Sequence, residues 1–331
     1  MAKRFAIETV DRSLRDIMDS TEIFGGKVIV FGGDFRQVLP VVPHGTRAET
    51  VNVSFAKSYL WSKIEKLKLT RNMRARLDDG FSEFLLRVGN DVEPTISNDL
   101  ILLPKEMVIK YKNDEISDRK LTDSIFPFLT ENARSKKYMM ERESRIFYSF
   151  DKAEDENNNC YEEEFWNTLS PNGLPHHKLE LKVNCPIMLP GNLNPSIGLC
   201  NGTRMVCKGF GKNVIYAEIT TGQHTGEKVL LPRIPLKPTE DKDYPFKFIR
   251  KQFPIRLCFA MTVNKAQGQT IPHVGVYLPN HVFSHGQLYV ALSRGISMAT
   301  TKVLVKTENS IKENETYTKN VVYKEVLLSE T

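Results

Sequence analysis

Phe253-Pro254-Ile255-Arg256-Leu257-Cys258-Phe259-Ala260-Met261, continuing into Thr262-Val263-Asn264-Lys265-Ala266-Gln267-Gly268-Gln269-Thr270, is the stretch on which the fold reading turns. Its first half is apolar over a strand's length, and its second half is crowded with hydroxyl, amide and ammonium groups. A strand giving way to a polar turn that opens a helix is the repeating unit of an α/β sheet, and a helix start offers free N–H groups to anions. That density of donors fits contact with phosphodiesters, whereas a bland strand–helix turn needs fewer polar groups.

Outward from it the alternation continues. Residues 274–278 read as a strand, 284–293 as a helix and 302–306 as a last strand, which predicts a parallel sheet flanked by helices. Upstream, Ile7, Val10, Leu14, Ile17 and Met18 recur at helical spacing over 7–19. Lys27-Val28-Ile29-Val30-Phe31, between glycines, reads as a buried strand, with 66–69 as a short strand and 55–61 and 79–90 as helices. Residues 125–129 read as an edge strand, followed by a Lys-, Arg- and Met-rich helix to about Glu143. Residues 151–164 are acidic and polar and read as a solvated loop. From 175 to 250 the period changes to two, with Leu179, Leu181, Val183 and Cys185 alternating with polar residues and turn signals recurring, so a small all-β module is predicted. The polar tail, 307–331, reads as loosely held.

The 331 residues are 40% hydrophobic and 26% charged, ordinary for a globular chain of two domains or of one with a large insertion. No apolar run reaches the roughly 18 residues that cross a bilayer, and the charged start MAKRFAIETVDRSLRD has no signal-peptide core. A net charge of +6 suits a polyanion partner without requiring one. The five cysteines, Cys160, Cys185, Cys200, Cys207 and Cys258, include no C-x-x-C pair, which argues against a disulfide framework and for a reducing compartment. Cys200 and Cys207 with His176 and His177 lack zinc-ligand spacing, so no metal site is expected.

Three further clusters sit where strands end. Gly32-Gly33-Asp34-Phe35-Arg36-Gln37-Val38-Leu39-Pro40 puts glycines and a glutamine where a phosphate or attacking water could be held, or is a polar surface loop. In Leu69-Thr70-Arg71-Asn72-Met73-Arg74 the arginines are suited to phosphate, although an arginine alone is more often simply solvated. In Gln287-Leu288-Tyr289-Val290-Ala291-Leu292-Ser293-Arg294 the apolar residues, with Tyr289 and Val290, read as packing, and Arg294 as the functional group leaving the helix end.

Taken together and in this order, the four clusters resemble motifs III, IV, V and VI of superfamily-one DNA helicases, nearest the petite-integration-frequency (PIF) type with its plant and transposon-derived members. Val183-Asn184-Cys185-Pro186-Ile187-Met188-Leu189, Asn192-Leu193-Asn194-Pro195 and Gly198-Leu199-Cys200-Asn201-Gly202-Thr203-Arg204 resemble that family's inserted β-barrel module. The resemblance runs from residue 1 to about 306. It implies an α/β fold of RecA-like (P-loop NTPase type) parallel sheets with an inserted small β-barrel: residues 1–65 the remnant of a first lobe, 66–165 and 253–310 a second lobe, 166–252 the barrel and 311–331 a tail.

The resemblance further implies an ATP-dependent helicase moving 5′ to 3′ on single-stranded DNA, in repair, recombination or telomere maintenance, in the nucleus or the mitochondrion. Gln37, Arg74 and Arg294 would be catalytic, with Gly33, Asp34, Gly268 and Gln269 also at the nucleotide. Thr262, Asn264, Lys265 and Gln267 would face the DNA. ATP and Mg²⁺ would be the cofactors and single-stranded DNA the partner, with no membrane. Yet the phosphate cradle G-x-x-x-x-G-K-[ST] does not occur in these residues, and an Asp-Glu pair would lie upstream of the helix at 7–19. The chain therefore reads as starting inside the first lobe, with a possible missing N-terminal lobe as partner and doubtful ATPase activity by itself. Pro190-Gly191 and Leu129-Thr130-Glu131-Asn132 depart from the family pattern. The competing readings are a non-catalytic single-stranded-DNA-binding fragment or transposon relic, and a generic α/β protein.

Overall fold

Val274, Val276 and Leu278 alternate with exposed positions along the strand Val274–Leu278, while the strand Thr301–Val305 is buried at four of its five positions. The first pattern is that of a strand covered on one face, the second that of a central strand covered on both. The two pair in parallel, and Thr301–Val305 pairs in parallel with Val108–Ile109 on its other side. In this computed structural model the described residues are 2–96, 99–126, 144–153, 163–171, 173–220, 222–238, 248–306 and 315–327. They fall into two units, Met1–Leu129 with Thr262–Thr331, and Thr130–Met261.

In the first unit, helices cover the parallel sheet. Asp78 starts the helix Asp79–Gly89 by accepting from the N–H of Phe81 at 2.9 Å. Phe81, Phe84, Leu85 and Val88 follow at helical spacing and are buried with Leu288, Ala291 and Leu292 of the helix Gln287–Leu292. Full burial of such a side chain contributes about 1.5–3 kcal/mol. The helix Asp114–Ile125 lies against Gly275, where a Cβ would meet Ile125 at 2.9 Å, so only glycine allows this approach. A second cluster joins Phe24, Phe35, Leu39, Phe55 and Leu60 to Val326, with Trp61 edge-on to Phe35 and Phe55. The amphipathic helix Arg4–Met18 is tied to it through buried Asp11, which accepts from the Phe24 N–H and the Tyr59 hydroxyl, both at 2.6 Å. Burial opposes the Asp11 charge, but these bonds and Arg15 outweigh it and hold the carboxyl below its usual range.

The second unit is antiparallel. Five strands run in the order Arg256–Leu257, Pro186–Met188, Arg204–Phe210, Val214–Ile219, Lys228–Pro232. Ile234–Leu236, Phe248–Gln252 and Phe150–Ala153 make a three-stranded sheet, and Ser144–Tyr148 pairs with Lys178–Lys182. Phe147, Leu181, Ile187, Met205, Ile215, Leu231 and Phe253 fill its core. Arg250 is fully buried, donating to both oxygens of Asp151 and to the carbonyls of Pro175 and Trp166. The strands expected between 175 and 250 form antiparallel ladders that also take in Ser144–Tyr148, Phe150–Ala153 and Arg256–Leu257, without a pairing among the described residues that closes them into a barrel.

Several sequence expectations need correction. Residues 27–31 belong to no ladder among the described residues, with Val28 95% and Val30 90% exposed. The alternation there is real, since Ile29 packs inward, but a strand also needs neighbours, and the described residues supply none. Residues 66–69 likewise join no strand ladder among the described residues, and Leu69 is fully exposed. Residues 55–61 form 3₁₀ turns rather than one α-helix. Ile125 ends a helix instead of starting a strand, while 127–129 and the helix expected to Glu143 lie outside the described residues. The apolar run 253–261 pairs only at Arg256–Leu257. Of the loop expected at 151–164, residues 151–153 belong to the strand Phe150–Ala153 and 163–164 to the helix Glu163–Thr168, while 154–162 lie outside the described residues. The tail is held at Tyr317–Lys319, which pairs with Leu100–Leu102, and at fully buried Val326. Among the described residues no helix is long and apolar enough to cross a membrane.

Candidate functional site

Asp34 organises the loop after residues 27–31. One of its carboxylate oxygens accepts from the N–H of Arg36 at 3.0 Å, and the other from the Gln37 side-chain amide at 3.2 Å. Short polar side chains bonding to a backbone N–H two residues on build such turns. Arg36 adds an ion pair to Asp34 at 3.4 Å and donates to the Asn90 side chain at 2.6 Å, beyond the end of the helix Asp79–Gly89.

The loop is seated from the other side by the start of the helix Gln287–Leu292. His285, fully buried, contacts the Phe35 carbonyl through Nε2 at 2.6 Å, and its Nδ1 accepts from the Tyr323 N–H at 2.8 Å. That pair of bonds requires the neutral ring protonated at Nε2. Burial pushes the His285 pKa down, with the Phe35 carbonyl partly opposing. Gly286, at φ +70°, lies so close to the loop backbone that a Cβ would meet the Arg36 oxygen at 2.4 Å. Tyr289, held above its ordinary range to about 12 by burial and by the Asp34 carboxylate, hydrogen-bonds Asp34.

Across the loop, the Gln267 side-chain amide donates to the Gln37 side-chain oxygen Oε1 at 2.9 Å. Ala2, Gly32, Gly33, Asp34, Gln37, Asn264, Gln267 and Gly268 surround a cavity of about 710 Å³. Of the expected site residues, Gly33, Asp34, Gln37, Asn264, Gln267 and Gly268 thus line one space. Thr262 and Lys265 are exposed beside them, and Thr262 caps no N–H with its side chain. The helix Val263–Ala266 has four residues, so the helix start expected to attract anions is a single turn with little dipole behind it. Gly268, at φ +82°, has nothing within 4 Å of a Cβ position.

The two arginines stand together but are engaged internally. Arg74 donates to the Thr270 hydroxyl at 2.8 Å and the Ser293 carbonyl at 2.6 Å, and burial lowers its pKa. Arg294 is 2% exposed, and each guanidinium nitrogen has an acceptor: the Val290 carbonyl, the Gln269 carbonyl and the Ser293 hydroxyl. Burial and then the neighbouring Arg74 charge push Arg294 down to about 10. Neither arginine lines the cavity, and to reach a ligand each must exchange these acceptors for it. Sequence reasoning missed Arg36, Asn90, His285 and Gly286 and took Tyr289 for packing alone. The glycine before the helix was the one local signal that could have found the seat.

The donors around the cavity suit a terminal phosphate. They do not suit a divalent cation: Asp34 is committed to Arg36, Gln37 and Tyr289, and no group of three or more His, Cys, Asp or Glu that could hold a metal occurs among the described residues.

The second unit carries an open cavity of about 450 Å³ lined by Phe150, Asn213, Pro232, Arg233 and Lys251. The Arg233 guanidinium stands over the Phe253 ring at 4.8 Å and donates to the Tyr148 carbonyl at 2.6 Å, and Phe150 is exposed.

Residues 1–96 match the family model described as PIF1-like helicase, and residues 164–210 match the DNA helicase Pif1 2B domain. The ATP-dependent DNA helicase PIF1 of Danio rerio is 27% identical over 307 residues, 90% of this chain and 43% of that protein. The ATP-dependent DNA helicase Pif1 of Campylobacter jejuni is 28% identical, over 85% of this chain and 63% of that protein. The human ATP-dependent DNA helicase PIF1 is 36% identical over 141 residues, 38% of this chain and 19% of that protein. The chain thus spans less than two thirds of these relatives. Among solved structures, Bacteroides Pif1 bound to single-stranded DNA has a TM-score of 0.56 at 20% identity, covering 93% of this chain and 68% of that one. Pif1 helicase from Candida albicans also has a TM-score of 0.56 at 20% identity, covering 99% and 74%. At that identity the likeness is one of fold.

Proposed function

We propose, for this chain of the PIF1-like helicase family, that the cavity between residues 32–37 and 264–268 is where an ATP-driven DNA helicase reads the terminal phosphate of its nucleotide and passes that reading to single-stranded DNA. One observation carries the proposal. Gln37, on the loop suited to phosphate, is hydrogen-bonded to Gln267, on the segment whose exposed Thr262, Asn264 and Lys265 suit the DNA backbone. A change in what Gln37 touches is felt one bond away by the DNA-facing segment. Gly33 and Asp34 shape the near wall and Gly268 the far one, while Gln269, next in the chain, reaches the site through its carbonyl bond to Arg294. Arg74 and Arg294 supply positive charge to the phosphate once released from Thr270, Ser293 and Gln269. On this reading the motor steps 5′ to 3′.

The second unit, taken by itself, also has a surface suited to single-stranded DNA. Arg233 and Lys251 offer charge to the backbone, and the exposed Phe150 ring a face on which a base can stack. No G-x-x-x-x-G-K-[ST] cradle occurs in these 331 residues, so the reading for the isolated polypeptide is binding of single-stranded DNA without ATP turnover.

The test is fluorescence anisotropy of the 331-residue chain with single-stranded oligonucleotides at several salt concentrations, alongside DNA-stimulated phosphate release. Expected are salt-dependent binding with little sequence preference, and no turnover. Turnover abolished by Arg294→Ala would overturn the non-catalytic reading, and absence of binding would overturn the DNA path.

A further inference from the structure

Residues 182–185 make a tight turn, with the Cys185 N–H donating to the Lys182 carbonyl at 3.1 Å and Asn184 in the left-handed region at φ +68°. Beyond the turn, Pro186 pairs with Val206. The next pair inward is not one residue against one. Asn184 N–H donates to the Cys207 carbonyl at 2.6 Å, while Cys207 N–H donates to the Cys185 carbonyl at 3.0 Å. Two residues therefore oppose Cys207, which is a β-bulge with its first residue in the left-handed conformation that tight turn and bulge share. The bulge sets Cys185 directly across from Cys207. Both side chains enter the same core, Cys207 fully buried and Cys185 8% exposed. The two thiols are hydrogen-bonded to each other, and that bond, with backbone N–H groups, draws the Cys185 thiol down to about 7 against the opposing effect of burial.

We propose that Cys185 and Cys207 are a disulfide-forming pair, a modification site at which hydrogen peroxide staples the turn at 182–185 to the strand Arg204–Phe210. Cys185 reacts first, being less deeply buried than Cys207, 8% against 0% exposed, and having the thiolate character that nucleophilic attack needs. Its sulfur attacks one peroxide oxygen and the O–O bond breaks, leaving a sulfenic acid on Cys185 and releasing water. The Cys207 sulfur then attacks the Cys185 sulfur, and the S–O bond breaks. The sulfenic hydroxyl leaves as a second water, taking up the Cys207 thiol proton. In sum two thiols and one peroxide become one disulfide and two waters. The other described cysteines lack this arrangement: Cys258 is buried and Cys200 half-buried, neither with a cysteine across a ladder.

The experiment treats the folded 331-residue chain with one equivalent of hydrogen peroxide, counts free thiols after denaturation and maps the peptides by mass spectrometry. Expected is the loss of two thiols, recovery of one cross-linked peptide pair holding Cys185 and Cys207, and return of both thiols on reduction. Cys185→Ser should leave Cys207 a free thiol, and Cys200→Ser should change nothing. The wild-type map needs no variant to fold, and circular dichroism before and after oxidation confirms that the native chain was the one reacting. The proposal is overturned if Cys200 oxidises while Cys185 and Cys207 stay reduced. It is equally overturned if Cys185 stops at a sulfenic or sulfinic acid, or if the cross-links are the same mixture in folded and urea-unfolded protein.

Discussion

Replacing Gly286 by alanine tests the proposed seat of the phosphate-reading loop. Two costs are written into the geometry. The residue sits at φ +70°, which costs an L side chain about 1–3 kcal/mol. Its Cβ would also lie 2.4 Å from the Arg36 oxygen, 2.7 Å from the Gln37 carbonyl carbon and 2.9 Å from the Gln37 oxygen, all of them backbone atoms that no rotamer change can move aside. Overpacking of this kind adds about 1–3 kcal/mol. Gly268 provides the control, because at φ +82° it carries the first cost and, with nothing within 4 Å of a Cβ, none of the second. Urea unfolding of both variants, extrapolated linearly to water, separates the two terms. Gly268→Ala should lose about 1–3 kcal/mol and Gly286→Ala about 2–6 kcal/mol, as the sum of the same ranges. Equal losses, or a smaller loss at Gly286, would refute the argument that the helix start and the loop are in unyielding contact.

His285 is neutral in the fold and its pKa lies below the ordinary 6.5, so the unfolded chain binds the extra proton first. Its contribution to stability is therefore complete above 6.5 and is lost as pH falls through the folded value. The urea midpoint should drop between about pH 8 and about pH 5, and His285→Gln, which keeps a donor and an acceptor without titrating, should flatten that drop. Asp151→Ala strands the buried Arg250 guanidinium and should destabilise the protein by about 3–5 kcal/mol in denaturant unfolding. A loss under about 1 kcal/mol, typical of an exposed ion pair, would contradict the burial. Lys265→Ala should weaken oligonucleotide binding evenly across sequences and lower the salt slope by about 1, and an unchanged slope would remove Lys265 from the DNA path.

How much of this was legible depended on the range of the interactions. Val274–Leu278 and Asp79–Gly89 were readable because a period of two or of 3.6 is written locally, in side chains that need only know which face is wet. Residues 27–31 carried the same local signal and still formed no ladder, because pairing depends on what else lies alongside. At the site, Gln37 and Gln267 were readable by chemistry. The groups that hold them were not: His285 acts on a carbonyl 250 residues away, and Arg36 on an amide 54 residues away. Arg294 was legible as an arginine at a helix end but not as a buried one, since one of its acceptors, the Gln269 carbonyl, lies 25 residues back along the chain.

The bare segment at residues 27–31 has a practical consequence. Val28 and Val30 are exposed to water, and the amides and carbonyls from 28 to 33 make no backbone hydrogen bond among the described residues. An exposed, uncharged stretch with unpaired backbone groups is a template for any extended peptide that drifts past, including another molecule's copy of itself. Concentrated solutions of these residues should therefore cloud with time, and a charged substitution at Val28 or Val30 should keep them clear.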